Sequence, residues 1–335
     1  MLAGLPLGAP AVVAASRIRV THGVQAGDVD GDRAVIWARA DRPARMLVRW
    51  GTRENLSDAR HAPPLHVSAA GDFTGKIELV GLPAGQRIVY EVRMLDLGDL
   101  RTLSEPVRGS LVTPPTSDRT VRILWSVDLC GQGWGIDPDF GGYRIFRAMA
   151  ALEPDLFVFS GDCIYADNPL VERVETEWGV WRNIVTPDKA KVAETLDEFR
   201  GNYRYKLLDE NMRSFLTRTA LIAQWDDHEV RNNWYWERRR EDDDRYTEKS
   251  AAVLAARAMR AFHEYMPTRI TPEEPHRLFR SFRFGPHVEI FRIDMRTYRG
   301  PNTQGREREA GPTTAILGRR QLRWLMDALA RSDAT

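Results

Sequence analysis

Cysteine is nearly absent: only Cys130 and Cys163 occur in 335 residues, which excludes the disulfide framework that holds small secreted scaffolds together. Two thiols are left for one disulfide between them or, preferred here, for metal ligation or burial. Net charge is nearly absent too, with Lys+Arg 48 against Asp+Glu 47 and a formal +1. No global field selects a polyanion, so nothing marks a specific nucleic-acid reader, and phosphate groups are left to local charge. No internal repeat or low-complexity tract stands out, and Arg238 to Arg245 (RRREDDDR) is a mixed-charge run that reads as a solvated loop. Long apolar runs are missing, and no segment approaches the roughly 20 residues of a transmembrane helix. The nearest is Met1 to Ala15 (MLAGLPLGAPAVVAA), uncharged and ending in small residues before Ser16 and Arg17. We read residues 1–16 as an export-signal remnant without its basic n-region, which implies a periplasmic or secreted protein.

With 43% hydrophobic and 28% charged residues, the chain is ordinary globular material, long enough for two cores. Residues 17–113 carry short alternating segments between turn residues, such as Arg33 to Arg39, Met46 to Trp50, Phe73 to Val80 and Ile88 to Met94. This spacing predicts an antiparallel β-sandwich, with Trp37 and Trp50 in its core and His22 and Asp28 as loop or interface residues. Residues 114–119, opening on Pro114-Pro115, read as a linker because adjacent prolines hold an extended backbone. From 120 to 335 the pattern changes to apolar strands alternating with helices. Strands are expected at 121–127, 155–160, 220–225 and 288–293, and helices at 143–152, 188–216 in pieces, 246–265 and 318–330. That order is α/β with a largely parallel sheet.

Each of those four strands runs into an acid: Asp128, Asp162, Asp226-Asp227 and Asp294. Strand carboxyl ends line the ligand crevice of open α/β sheets, and carboxylates gathered there repel one another unless a cation neutralises them. Helix capping explains any single Asp; four in succession point to a metal centre. Asp128-Leu129-Cys130 offers a carboxylate and a thiolate on one side of an extended backbone. Gly161-Asp162 is followed by the phenol of Tyr165, and Asp226-Asp227 by the imidazole of His228. Cys163 reads as a buried small side chain, and Asn232 and Asn233 as caps of a following helix.

Gly161-Asp162 with Tyr165, and Trp225-Asp226-Asp227-His228-Glu229-Val230 with Asn232-Asn233-Trp234, closely resemble signature segments of the PhoD-like alkaline phosphatases, within the calcineurin-like metallophosphoesterase superfamily. Thr21 to Asp28, Gly131 to Gly135 and Asp294 to Gly300 are similar to further family segments in the same order. The resemblance implies an Ig-like β-sandwich over 17–113, followed by a metallophosphatase domain over 120–335. It also implies a dinuclear or multinuclear centre of iron and calcium. By position, Asp162 falls on the bridging carboxylate and Tyr165 on a phenolate ligand. Asp227 falls on a further ligand, Asp128 and Cys130 on the first strand's pair, and His228 on the stabiliser or proton donor of the reacting phosphate. The implied activity is hydrolysis of phosphoester small molecules or nucleotides by a metal-activated hydroxide, with Asp162 and His228 as catalytic residues.

After Glu229 only His263, His276 and His287 remain, none in a Gly-Asp-x-His or His-x-His setting. The metallophosphatase domain is therefore expected to stop short of its C-terminal metal ligands, with weak or absent turnover by these residues alone. Two other readings stay open: a non-catalytic secreted metal- or phosphate-binding module, and another metal-assisted hydrolase. Oligomeric state is not encoded in any pattern above.

Overall fold

Alternating segments separated by turn residues resolve into strands in the first third of the chain. The computed structural model describes residues 16–129, 131–301, 303 and 305–335, so the export reading of 1–16 and the ligand assigned to Cys130 fall outside the described residues, Ser16 excepted. The strands are β1 (Val20–Asp30), β2 (Arg33–Ala40), β3 (Ala44–Gly51), β4 (Arg60–His61), β5 (Leu65–Val67), β6 (Thr74–Leu79), β7 (Arg87–Asp96) and β8 (Val107–Val112). Beyond 113 come β9 (Ile123–Ser126), α1 (Arg144–Ala150), β10 (Leu156–Ser160), β11 (Arg173–Thr176), β12 (Gly179–Arg182), α2 (Leu196–Lys206) and α3 (Glu210–Arg218). The chain continues through β13 (Ala220–Gln224), α4 (Ala251–Tyr265), β14 (Arg280–Arg283), β15 (Glu289–Arg292) and α5 (Gly318–Arg331). Pro114 and Pro115 lie between β8 and β9, buried and outside any strand.

Among the described residues one six-stranded sheet has the order β6-β2-β1-β13-β10-β9. Strands β9, β10 and β13 run parallel, and β1 joins β13 in parallel through Gly27 opposite Leu221. The expected sandwich is thus not self-contained: β1, β2 and β6 extend the α/β sheet. The junction needs glycine, because a Cβ on Gly27 would lie 2.5 Å from the Leu221 carbonyl oxygen and 2.6 Å from Pro267 Cγ. The rest of the N-terminal region forms an antiparallel sheet, β4-β3-β7-β8 with β5 on β3.

Strands buried on both faces serve two cores, which is why β10 and β13 read as near-continuous apolar runs. Phe157, Phe159, Leu221 and Ala223 face one core with Phe146 of α1, Phe199 of α2, Phe215 of α3 and Phe262 of α4. Leu156, Ala220 and Ile222 face the other, with Met46, Val48, Trp50, Tyr90 and Val92 of the antiparallel sheet. Trp50 packs as expected. Trp37 does not: it turns to the helix-covered core and donates its indole N–H to the Glu264 carbonyl at 2.7 Å, so it fastens the N-terminal strands to α4.

Two of the helices begin on side-chain caps the sequence supplies. Thr195 and Glu198 form a reciprocal capping box on α2, and Asp209 accepts the Met212 amide at 2.7 Å at the start of α3. The fourth expected strand departs from the reading: β15 pairs antiparallel with β14 in a separate ribbon, outside the parallel sheet. His22 and Asp28 lie within β1 at positive φ, 62° and 44°, where the β1–β2 register shifts. Asp28 is an interface residue, wholly buried and paired with Arg292 at 3.2 Å.

Candidate metal centre

The loops that leave β9, β10 and β13 at their carboxyl ends bring Asp128, Asp162, Tyr165, Asp227 and His228 together. Asp128 and Asp162, each two residues past a strand, hold left-handed backbones with φ of 57° and 49°, a conformation Asp tolerates better than most residues. Gly161, at φ 106°, makes the approach feasible: a Cβ there would sit 2.6 Å from Asp226 Cβ and 2.8 Å from the Asp226 nitrogen. The β10 loop is thereby pressed onto the β13 loop. As a result Asp162, Asp227 and His228 offer ligand atoms all within 4.8 Å of one another.

Asp128 and Tyr165 stand beside this group. The Tyr165 hydroxyl donates to Asp128 Oδ1 at 2.9 Å, and its ring stacks on His228 with centroids 4.2 Å apart. Burial, the Asp128 hydrogen bond and nearby carboxylates push the phenol well above its ordinary pKa. His228 Nδ1 lies 2.7 Å from Asp167 Oδ1. A carboxylate only accepts, so Nδ1 carries the proton and Nε2 is left for other chemistry. Burial opposes the imidazolium, but the Asp167 hydrogen bond and the charges of Asp167, Asp227 and Glu229 outweigh it and raise the His228 pKa.

The donor set fits a hard cation. Burial, then the negative charges of Glu229 and Asp227, push the Asp162 carboxyl up to about 9. Bound positive charge would relieve that crowding, and clustered carboxylate oxygens are the donors a hard cation takes.

Several residues that hold the site were not assigned from sequence. Asp167 also accepts the Asn232 amide at 2.7 Å, and Asp227 accepts the Asn233 amide at 2.5 Å. Asn232 and Asn233 therefore act through their main-chain amides and cap no helix; the next helix begins only at Ala251. Buried Glu229 accepts the amides of Cys163 and Asp226, each at 2.7 Å, and the Cys163 thiol at 3.0 Å. Cys163 is buried, as expected, yet bonded rather than merely packed. Lys189 Nζ donates to the carbonyls of Tyr165 at 2.7 Å and Asn168 at 3.1 Å and to Asn202 Oδ1 at 3.0 Å, anchoring the loop beyond Tyr165. Burial lowers its pKa to about 8.

The fourth acid, Asp294, does not reach the cluster. It accepts the Thr297 amide at 2.9 Å, the Thr297 hydroxyl at 2.5 Å and the Trp225 indole at 3.2 Å, so it builds a turn. That turn sends Arg296 to the site, where it grips Asp226 at 2.6 and 3.1 Å and lies 3.4 Å from Asp227. The signal for Arg296 was its place in the Asp294 to Gly300 segment. His61, His66, His263, His276 and His287 contribute nothing to the cluster; His66 Nε2 accepts from Arg45 Nε at 3.0 Å and His287 Nε2 donates to Asp118 Oδ1 at 2.7 Å.

Comparison with known proteins bears on the fold and the family. The chain is 25% identical to alkaline phosphatase D of Bacillus subtilis (strain 168) over 94% of its own length, and it spans 54% of that relative. A solved structure of PhoD shares the fold with a TM-score of 0.76 at 22% identity, over 96% of this chain and 61% of that one. A purple acid phosphatase from yellow lupin (Lupinus luteus) seeds follows at TM-score 0.56 and 11% identity, over 94% of this chain and 49% of that one. No helix among the described residues is long and apolar enough to cross a membrane. The PhoD-like phosphatase N-terminal domain model matches residues 8–115 and the PhoD-like phosphatase model residues 124–335, well over half the chain, and the chain belongs to the PhoD-like phosphatase family.

Proposed function

We propose that the protein hydrolyses phosphoesters at a metal centre held by Asp162 and Asp227, with Tyr165, Asp128 and Cys130 as further ligands. Ferric iron with calcium is the ion pair implied by the family resemblance, and the oxygen-rich donors support it. When bound, such ions neutralise phosphate charge and supply a nucleophilic water at neutral pH.

The observation that carries the reading is His228. Its ring is within 4.8 Å of the Asp162 and Asp227 oxygens, with Nδ1 held by Asp167 at 2.7 Å. Asp167 fixes the ring and favours its protonated form, so Nε2–H stabilises charge on the phosphate or protonates the leaving oxygen. Asp162 positions the His228 amide, which donates to Asp162 Oδ1 at 3.1 Å. Phosphoester small molecules or nucleotides are the substrates this site suits.

The test is hydrolysis of p-nitrophenyl phosphate and bis(p-nitrophenyl) phosphate by the metal-loaded protein and its His228→Ala variant. Turnover that collapses in the variant supports the proposal. Tight metal binding without hydrolysis of any ester would favour the non-catalytic binding module instead.

A further inference from the structure

Arg296 contacts the carboxylate cluster and Arg299 feels the charges of its Asp226 and Asp227, and both guanidiniums carry N–H groups that no described residue accepts. Arg296 spends Nε and Nη2 on Asp226, while its Nη1 is buried without a partner. Arg299, three residues on in the same turn, has a buried Nε without a partner. The turn is well anchored: Asp294 holds Thr297, Gln321 exchanges hydrogen bonds with the Asp294 backbone at 2.6 and 2.7 Å, and the Gly300 amide donates to Ala315 at 2.8 Å. Arg299 feels burial first and then the like charge of Arg296, both lowering its pKa, against attraction from Asp226 and Asp227. Buried N–H groups normally find acceptors, and adjacent cations need an anion to lie together at low cost.

We infer that Arg299, assisted by Arg296, forms an anion subsite beside the metal centre that binds the nonbridging oxygens of the substrate phosphate and of released orthophosphate. Arg296 is neutralised in part by Asp226, so Arg299 carries the free positive charge. A guanidinium matches phosphate oxygens with paired donors. The attraction scales with phosphate charge, so a dianionic monoester gains more than a monoanionic diester. Terminal phosphomonoesters are therefore the favoured substrate class. This inference rests on the phosphoesterase reading above, but concerns binding rather than bond breaking.

The experiment compares metal-loaded wild type with Arg299→Met and Arg299→Lys. One arm measures orthophosphate affinity by calorimetry; the other measures kcat and KM on p-nitrophenyl phosphate and bis(p-nitrophenyl) phosphate. Expected for Arg299→Met is about a tenfold or greater loss of orthophosphate affinity, the scale of one lost charge-assisted contact. KM for the monoester should rise more than kcat falls, the diester should suffer less, and Arg299→Lys should recover part of the loss. Unchanged orthophosphate affinity and unchanged monoester KM in Arg299→Met overturn the subsite, even if wild type is an active enzyme. A wild type that binds orthophosphate through Arg299 yet hydrolyses neither ester keeps the subsite and sinks the catalytic reading.

Discussion

Glu229 Oε1 accepts the Cys163 amide at 2.7 Å, and Oε2 accepts the Asp226 amide at 2.7 Å. One fully buried carboxylate thus staples the loop after β10 to the loop after β13. An amide side chain has only one accepting oxygen, so Glu229→Gln must turn an N–H toward one of the two backbone amides. We expect the fold to persist and metal affinity to fall about 10–100-fold, as for other residues that orient ligands from behind. Calorimetric titration with calcium reads this directly; wild-type affinity in the variant would show that the staple does not set the site.

The roles of Asp162 and His228 separate in a pair of variants. Asp162→Ala removes the buried carboxylate at the centre of the ligand group, so both metal content and turnover should be lost. His228→Ala should leave most of the metal and lower turnover by about 10²–10⁴-fold, the usual worth of a positioned proton donor. Elemental analysis beside the ester assay distinguishes the two. Equal metal loss in both variants would make His228 a ligand first.

Much of this site was legible because strand ends are marked twice, once by the end of an apolar run and again by the acid that follows. Asp128, Asp162 and Asp227 are found that way. Asp294 obeyed the same pattern and misled, since a strand in a separate ribbon looks the same in sequence as one in the parallel sheet. Asp167, Glu229 and Arg296 escaped assignment because their roles depend on groups distant in the sequence: the amides of Asn232 and Cys163 and the carboxylate of Asp226. The two-region reading missed the β1–β13 junction for a related reason. A single parallel pairing at Gly27 leaves only one glycine as its trace.

That junction is held by charge as well as by the sheet. Asp28 takes Arg292 at 3.2 Å, Arg280 at 3.5 Å and the Arg269 amide at 2.7 Å, with both Asp28 and Arg292 essentially unexposed. Asp28→Ala leaves the Arg292 guanidinium buried without its carboxylate. The expected loss is about 3–5 kcal/mol, the cost of breaking a buried pair from one side. Urea denaturation measures it, and a loss below about 1 kcal/mol, typical of an exposed pair, would mean the cluster is effectively solvated.

Acid stability offers a further check, on the antiparallel sheet far from the metal loops. Glu91 on β7 is 2% exposed and receives Arg49 of β3, Arg93 of β7 and Arg108 of β8, each at about 3.0 Å. Burial opposes its ionised form, but the hydrogen bonds from Arg49, Arg108 and Arg93 outweigh it and take the pKa from 4.5 to about 2. A carboxyl whose pKa is depressed by folding stabilises the native state fully above its unfolded value and loses that contribution as pH falls through the folded one. The window is therefore pH 4.5 down to about 2. Glu91→Gln should be less stable than wild type at pH 7 by about 1–2 kcal/mol, at the low end for charge-assisted bonds because salt screens the partly exposed arginines. The gap should shrink as pH falls from 5 to 3 and narrow again in high salt at pH 7. Urea midpoints at pH 7, 5 and 3 test this; a gap that stayed constant across that range would assign the Glu91 contribution to packing and not to its charge.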